Sequence, residues 1–185
     1  MSDRFVSGIL KKLDSEPRTR AERLAGVSVI IEAGDKARTL LVRRAQRTGD
    51  PWTGQVAFPG GKMRAGDVSV LQTAVRETQE EVGVDLARNA EFLGYFGSFR
   101  TRVGSMDVVP SVFKLKSKVK VTPNEEVSDF KWVAFESFLA PRSRSTFSFE
   151  ADGARLEAPA FMVEGYVIWG LTFRIIESLL DGLSE

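Results

Sequence analysis

The chain has 185 residues, with 26 lysines and arginines against 25 acids, and neither histidine nor cysteine. That length suits one domain with a sizeable core, and a net charge of +1 supplies no global field for gripping nucleic acid. Without His or Cys there is no disulfide, thiolate zinc site, imidazole ligand or Ser-His-Asp triad; acid/base work falls mainly to carboxylates, and a metal would be a hard ion held by oxygen, such as magnesium, calcium or manganese.

Along the chain, Phe5, Ile9, Leu10 and Leu13 sit at helical spacing and predict a short amphipathic helix over Arg4 to Leu13, ended by Glu16-Pro17-Arg18. Gly26 to Ile31 and Thr39 to Val42 are rich in Val, Ile and Leu and flank Ala33-Gly34-Asp35-Lys36, so a strand, a turn and a strand are expected. Turn formers fill Arg47-Thr48-Gly49-Asp50-Pro51-Trp52-Thr53-Gly54, a loop that enters a short strand at Gln55 to Phe58. After a second loop, Pro59 to Gly66, Asp67 is placed to cap a helix whose stripe is Leu71, Ala74, Val75, Thr78 and Val82; Gly83 stops it. Strands are expected at Glu91 to Phe99, Met106 to Leu115 and Phe130 to Phe135. A hairpin is expected near Phe147 to Leu156 around Asp152-Gly153, and a helix from about Tyr166 to Leu180. The fold class read from this order is α/β (α+β), a mixed sheet between helices in one domain over residues 1–185, with 1–24 as a helical extension. No stretch approaches the roughly 20 apolar residues of a membrane helix, and Met1-Ser2-Asp3-Arg4 lacks a signal peptide's apolar core, so a cytoplasmic protein is expected.

Chemistry concentrates on the central helix. With Glu77 at the zero of angle, Glu80 and Glu81 fall at roughly 300° and 40°, beside a buried stripe at roughly 60° to 160°. The three carboxylates repel at i+3 and i+4 and stand at the negative end of the helix dipole, costs that a bound cation reverses. Most Glu-rich turns are merely solvated faces. Here, however, Arg76 can pair with Glu80 at i+4, and Gly60-Gly61 just upstream permits a close backbone approach.

The run Gly61-x5-Asp67-x8-Arg76-Glu77-Thr78-x-Glu80-Glu81-x-Gly83-Val84 resembles the Nudix box, G-x5-E-x7-R-E-U-x-E-E-x-G-U, with Asp67 in place of the usual glutamate and one added residue before Arg76. The lengthened box, Leu40-Leu41-Val42-Arg43-Arg44 followed by Gly54 to Gly61, and Ile168-Trp169-Gly170-Leu171-Thr172 are similar to the coenzyme A pyrophosphatase branch. The resemblance implies hydrolysis of a nucleoside diphosphate derivative, with coenzyme A or an acyl ester giving 3′,5′-ADP and a 4′-phosphopantetheine. It also implies Mg2+ or Mn2+ on Glu77, Glu80 and Glu81, Arg76 orienting that cluster, and Gly60 and Gly61 turning backbone groups to metal and phosphates. The expected partner is a small-molecule nucleotide, with no nucleic acid and no membrane; a homodimer is left open. ADP-ribose, a dinucleotide such as NADH, or a nucleoside triphosphate stay open as substrates, as does a non-catalytic nucleotide-binding module.

Other residues carry two readings each. Arg43 and Arg44 end a strand, so one can reach a phosphate while its neighbour points to the other face, and Arg47 follows closely. Lys114, Lys116, Lys118 and Lys120 alternate with apolar residues as an exposed basic strand face or an anion-docking surface. Trp52 and Phe58 offer stacking surfaces, though Phe58 equally fits a core. Glu125 and Glu126, after Pro123-Asn124, are loop carboxylates or the acidic first turn of a helix, and the general base stays open. Trp169 and Gly170 read as packing residues of the last helix.

Overall fold

A strand buried on both faces reads as a continuous apolar run, and Leu24–Glu32 is one: this strand, β1, lies at the centre of an eight-stranded mixed sheet. The computed structural model describes residues 2–49, 52–101, 105–151 and 153–181; Asp50 and Pro51 of the expected loop and Asp152 of the expected hairpin turn lie outside them. Around β1 the chain order is α1 (Ser2–Leu10), β2 (Arg38–Arg44), β3 (Val56–Ala57), β4 (Gly60–Lys62), α2 (Val70–Val82), α3 (Leu86–Asn89), β5 (Ala90–Tyr95), β6 (Phe99–Arg100) and β7 (Asp107–Leu115). It continues through β8 (Val127–Ala134), α4 (Phe135–Leu139), β9 (Arg144–Ala151), β10 (Ala154–Val163), β11 (Tyr166–Trp169) and α5 (Gly170–Leu180).

Strand β1 pairs in parallel with β7 from Leu24↔Asp107 to Ile31↔Lys114, and antiparallel with β2 and β4. Successive side chains point to opposite faces and feed separate cores. Val29, Ile31 and Leu41 join a large core with α1, α4, α5, β10 and β11, whereas Ile30, Leu40 and Val42 pack toward Leu71, Val75 and Val82 of α2. The expected mixed sheet between helices is thus present. On the α5 side, β9, β10 and β11 add a three-stranded antiparallel sheet.

Several expectations need correction. Asp67 is not the cap of α2: Ser69 is, its hydroxyl accepting from the Gln72 amide, because Asp67 is occupied by other donors. Gly83 does end α2 in the left-handed conformation (φ 68°). The segment opening the box, expected as loop, contains β4, whose Gly60 and Gly61 pair with Val27 and Gly26. The strand expected over 91–99 breaks into β5 and β6 around Gly97 (φ 60°). Tyr166 to Trp169 is strand, not helix: Glu164 and Gly165 both take positive φ (52° and 80°) and fold β11 back on β10 as a hairpin. The lysine row is mostly loop, since β7 stops at Leu115. Asn124 accepts from the Glu126 amide through its side chain, so Glu125 and Glu126 sit in a turn rather than a helix start.

The approach of α2 to β1 is set by one glycine. A Cβ on Gly26 would stand 2.1 Å from the Val70 carbonyl oxygen, a backbone atom that cannot swing aside. Ser28 then donates to the Ala74 carbonyl (3.1 Å) and receives from Thr78 (2.8 Å), so the contact carries a satisfied buried polar link. Gly26→Ala is expected to lose about 1–3 kcal/mol in urea unfolding, the usual cost of overpacking. Unchanged stability would show that α2 can shift freely.

Candidate active site

The sheet and α2 together expose one flank of the helix, and the three glutamates divide on it. Glu77 and Glu81 are buried (8% and 4% exposed), while the Glu80 side chain is 42% exposed. Glu81 accepts a hydrogen bond from the Gly60 amide at 3.0 Å. A Cβ on Gly61 would stand 2.5 Å from the Glu77 carboxyl carbon, so only glycine there leaves the carboxylate its place. The backbone expected to face a ligand at Gly60 instead gives its N–H to Glu81, and Gly61 acts by lacking a side chain.

Burial is the main reason that the Glu81 carboxyl is pushed up to about 7; the neighbouring charges of Glu77 and Glu126 add to it, while the Gly60 amide and Arg44 oppose it. Two buried carboxylates one turn apart, Glu81 held by the Gly60 amide, make an oxygen-lined, electron-rich pair whose repulsion a divalent cation relieves. Glu80 does not join them. It receives bonds from Arg64 (3.2 and 3.3 Å) and Arg76 (3.2 Å), and among the described residues no three carboxylates form a ready ligand set.

Arg76 holds more than Glu80. Its Nε and Nη2 donate to the two oxygens of Asp67 at 3.0 and 2.8 Å, and its Nη1 to Glu77 at 2.6 Å. Asp67 also accepts from the Arg64 amide and the Thr73 hydroxyl, and with the Arg76 bond foremost its carboxyl lies far below the usual range. The extra residue in the box therefore still lets Asp67 and Arg76 meet as a two-pronged pair across the start of α2.

The arginines of β2 part company. Arg43 lies over the Tyr166 ring (4.9 Å) and donates to the Gly165 carbonyl, away from α2, where it pins the β10–β11 turn. Arg44 is felt by Glu81 on the helix side. Arg47 reaches Glu126 at 3.1 Å and Glu125 at 3.6 Å. Phe58 is core (3% exposed), and Trp52 lies under Lys62 at 5.3 Å. Trp169 ends β11 rather than packing within a helix.

One participant, Arg64, escaped the sequence reading. Arg64 neutralises Glu80 and approaches Glu77 at 3.5 Å; three crowded carboxylates with a single arginine were a hint that a second cation lay in the adjoining loop. Glu126 is one of the two loop carboxylates that the sequence offers for the open role of general base. Its position comes from backbone bonds invisible in sequence: Thr122 and Asn124 donate to the Val82 and Glu81 carbonyls and lay the loop over the end of α2.

This arrangement, paired buried carboxylates with glycine backbone against them and an arginine clamp, suits a hard divalent cation and the phosphate chemistry it assists, and comparison with known proteins gives the class. A family model described as NUDIX domain matches residues 22–150. Relatives include a Nudix hydrolase NudL of Pectobacterium atrosepticum, 30% identical over 80% of this chain and 76% of that one. Another is the peroxisomal coenzyme A diphosphatase ndx-8 of Caenorhabditis elegans, 34% identical over 72% of this chain but 58% of that protein. Among solved structures, a MutT protein of Methanosarcina mazei matches 90% of this chain and 100% of that one with TM-score 0.59 at 19% identity. The chain belongs to the Nudix domain family. It is accordingly a pyrophosphohydrolase of small nucleotide-type substrates, in a family that generally works with divalent metal ions. Among the described residues no helix is long and apolar enough to cross a membrane.

Proposed function

We propose that this protein, acting as one domain over residues 1–185, cleaves the pyrophosphate of coenzyme A or an acyl-CoA to 3′,5′-ADP and (acyl-)4′-phosphopantetheine. The observation that carries the reading is the buried Glu77–Glu81 pair seated against Gly60 and Gly61. The signature flanking it, and the likeness to a coenzyme A diphosphatase, support the substrate. Glu77 and Glu81 would hold Mg2+ or Mn2+, which when bound neutralises pyrophosphate charge and orients the attacking water. Glu80, tied to Arg64 and Arg76, contributes charge at the rim. Arg76 positions Glu77, and Arg44 rather than Arg43 is the strand arginine on the metal side. Glu126, which faces Glu81, is the loop carboxylate best placed to take the water's proton.

A panel of coenzyme A, ADP-ribose, NADH and a nucleoside triphosphate, each with magnesium and with manganese, tests the substrate by product chromatography. Coenzyme A is expected to lead in kcat/KM, and Arg44→Ala to cut that value about tenfold or more, since a charge-assisted bond to phosphate is lost. A kcat/KM for coenzyme A at or below that for ADP-ribose overturns the substrate and leaves the hydrolase standing. No product with any member, together with ligand binding indifferent to metal, would favour a binding module.

A further inference from the structure

The three-stranded sheet has a half-exposed apolar face and an unpaired edge, and both meet on β9. Across the ladder Ser145, Phe147 and Phe149 stand opposite Ala160, Ala158 and Leu156, while Ala160 and Met162 stand opposite Trp169 and Val167. The alternate residues of β10 and β11, Phe161, Val163, Tyr166 and Ile168, point into the core, so the aromatic set faces outward. There Trp169 lies 4.9 Å from Phe147 and 4.7 Å from Phe149, flanked by Leu156 and Met162, which are 44% and 53% exposed. A contiguous apolar surface of this kind marks an interaction site. The edge is equally open: β9 is the outer strand, eight residues long, and among the described residues its backbone pairs with β10 alone. It has no lysine, proline or bulge to blunt it.

We propose that this edge is a homodimer interface, β9 pairing antiparallel with β9 of a second copy into one six-stranded sheet. The occupant is a second copy because the strand complements itself. Residues directly opposite each other share a face, so the aromatic surface continues only where odd-numbered residues meet odd-numbered ones. A two-fold axis through Phe147 meets that condition. It also sets Arg144 opposite Glu150 of the second copy at both ends of the ladder, Thr146 opposite Ser148, and no like charges opposite each other. The two Phe147 rings then meet at the centre, extending the Phe147–Phe149–Trp169 cluster across the join.

Sedimentation equilibrium of the full chain across a wide concentration range reads the first consequence: the mass should rise toward twice the 20.5 kDa of one chain. Phe147→Glu, which opposes two carboxylates on the axis, should weaken association roughly thirtyfold or more, as loss of a central hot spot does, with thermal unfolding confirming that the variant folds. Glu150→Arg, remote from the aromatic face, should weaken it more modestly through opposed arginines. The absence of cysteine makes the register readable by oxidation. Opposed residues of an antiparallel pair have Cα atoms about 4.5–5.5 Å apart, within disulfide range, so Phe147→Cys should cross-link while Phe149→Cys should not. A monomer at every concentration, or a dimer untouched by both charge variants, overturns the proposal; cross-linking by Phe149→Cys alone overturns the register.

Discussion

Glu81→Gln is expected to lower turnover by roughly a hundredfold or more, the scale of losing a few kcal/mol of charge stabilisation, while making the metal-free protein more stable. The two effects have one cause. The Glu81 carboxyl, buried beside Glu77, ionises at about 7 in the folded chain against 4.5 as its ordinary value. Between those values the folded state holds a proton that the unfolded chain has lost, so stability falls as pH rises from about 4.5 through about 7 and levels off above it. That span amounts to about 3 kcal/mol. Glutamine keeps an oxygen for the Gly60 amide and removes the penalty. The metal-free variant should therefore melt higher than the wild type at pH 8, by on the order of 5 °C, and lose this part of the pH dependence. Magnesium should raise the wild-type melting temperature and leave the variant's nearly unmoved, since an ion stabilises only the state that binds it. Undiminished turnover would remove Glu81 from the site, and a variant that melts lower without metal would show that its burial is not the source of strain.

What the sequence reveals and conceals here divides along physical lines. Periodicity exposes α2 and places the three glutamates on one turn beside its buried stripe, because both depend only on positions within one helix; that Glu77 and Glu81 are buried while Glu80 is exposed follows from the packing around that turn. The alternation of β2 likewise parts Arg43 from Arg44. What stays hidden depends on which elements meet. Nothing local says that Tyr166 to Trp169 pair with β10 rather than extend α5; their apolar character fits either, and the deciding feature is the turn that Glu164 and Gly165 make. Gly60 and Gly61 read as loop because glycine resists a strand assignment, yet they pair with β1, and a side chain would strike the β1 backbone from Gly60 and the Glu77 carboxylate from Gly61. Asp67 illustrates a third case. As an acid three residues before the helix it looks like a cap, and it is diverted because Arg76, two turns into α2, reaches back for it.

That diversion gives the largest stability effect expected of any single replacement at the site, in Arg76→Ala. Asp67 is about 5% exposed at its side chain and stays ionised because two nitrogens of Arg76 are bonded to it, with the Arg64 amide and Thr73 hydroxyl in support. Removing the guanidinium strands a buried carboxylate, a change that costs about 3–5 kcal/mol, or on the order of 10 °C in melting temperature for a chain of this size. Because Asp67 is held far below its ordinary range, its contribution is present above the unfolded value near 4 and fades as pH falls toward the folded value. The gap between Arg76→Ala and wild type should accordingly be widest at neutral pH and narrow in acid. Arg76→Lys, which cannot grip both oxygens of Asp67 and still reach Glu77, should recover only part of the loss. Adding Asp67→Asn to Arg76→Ala should restore stability that either change alone forfeits, since no unpaired charge then remains buried; the double-mutant cycle measures that coupling directly. Activity should not follow this rescue, because Glu77 and Glu80 still lack the arginine that aligns them. If stability and turnover recover together in the double variant, Arg76 serves the fold alone and the clamp on Glu77 has no catalytic consequence.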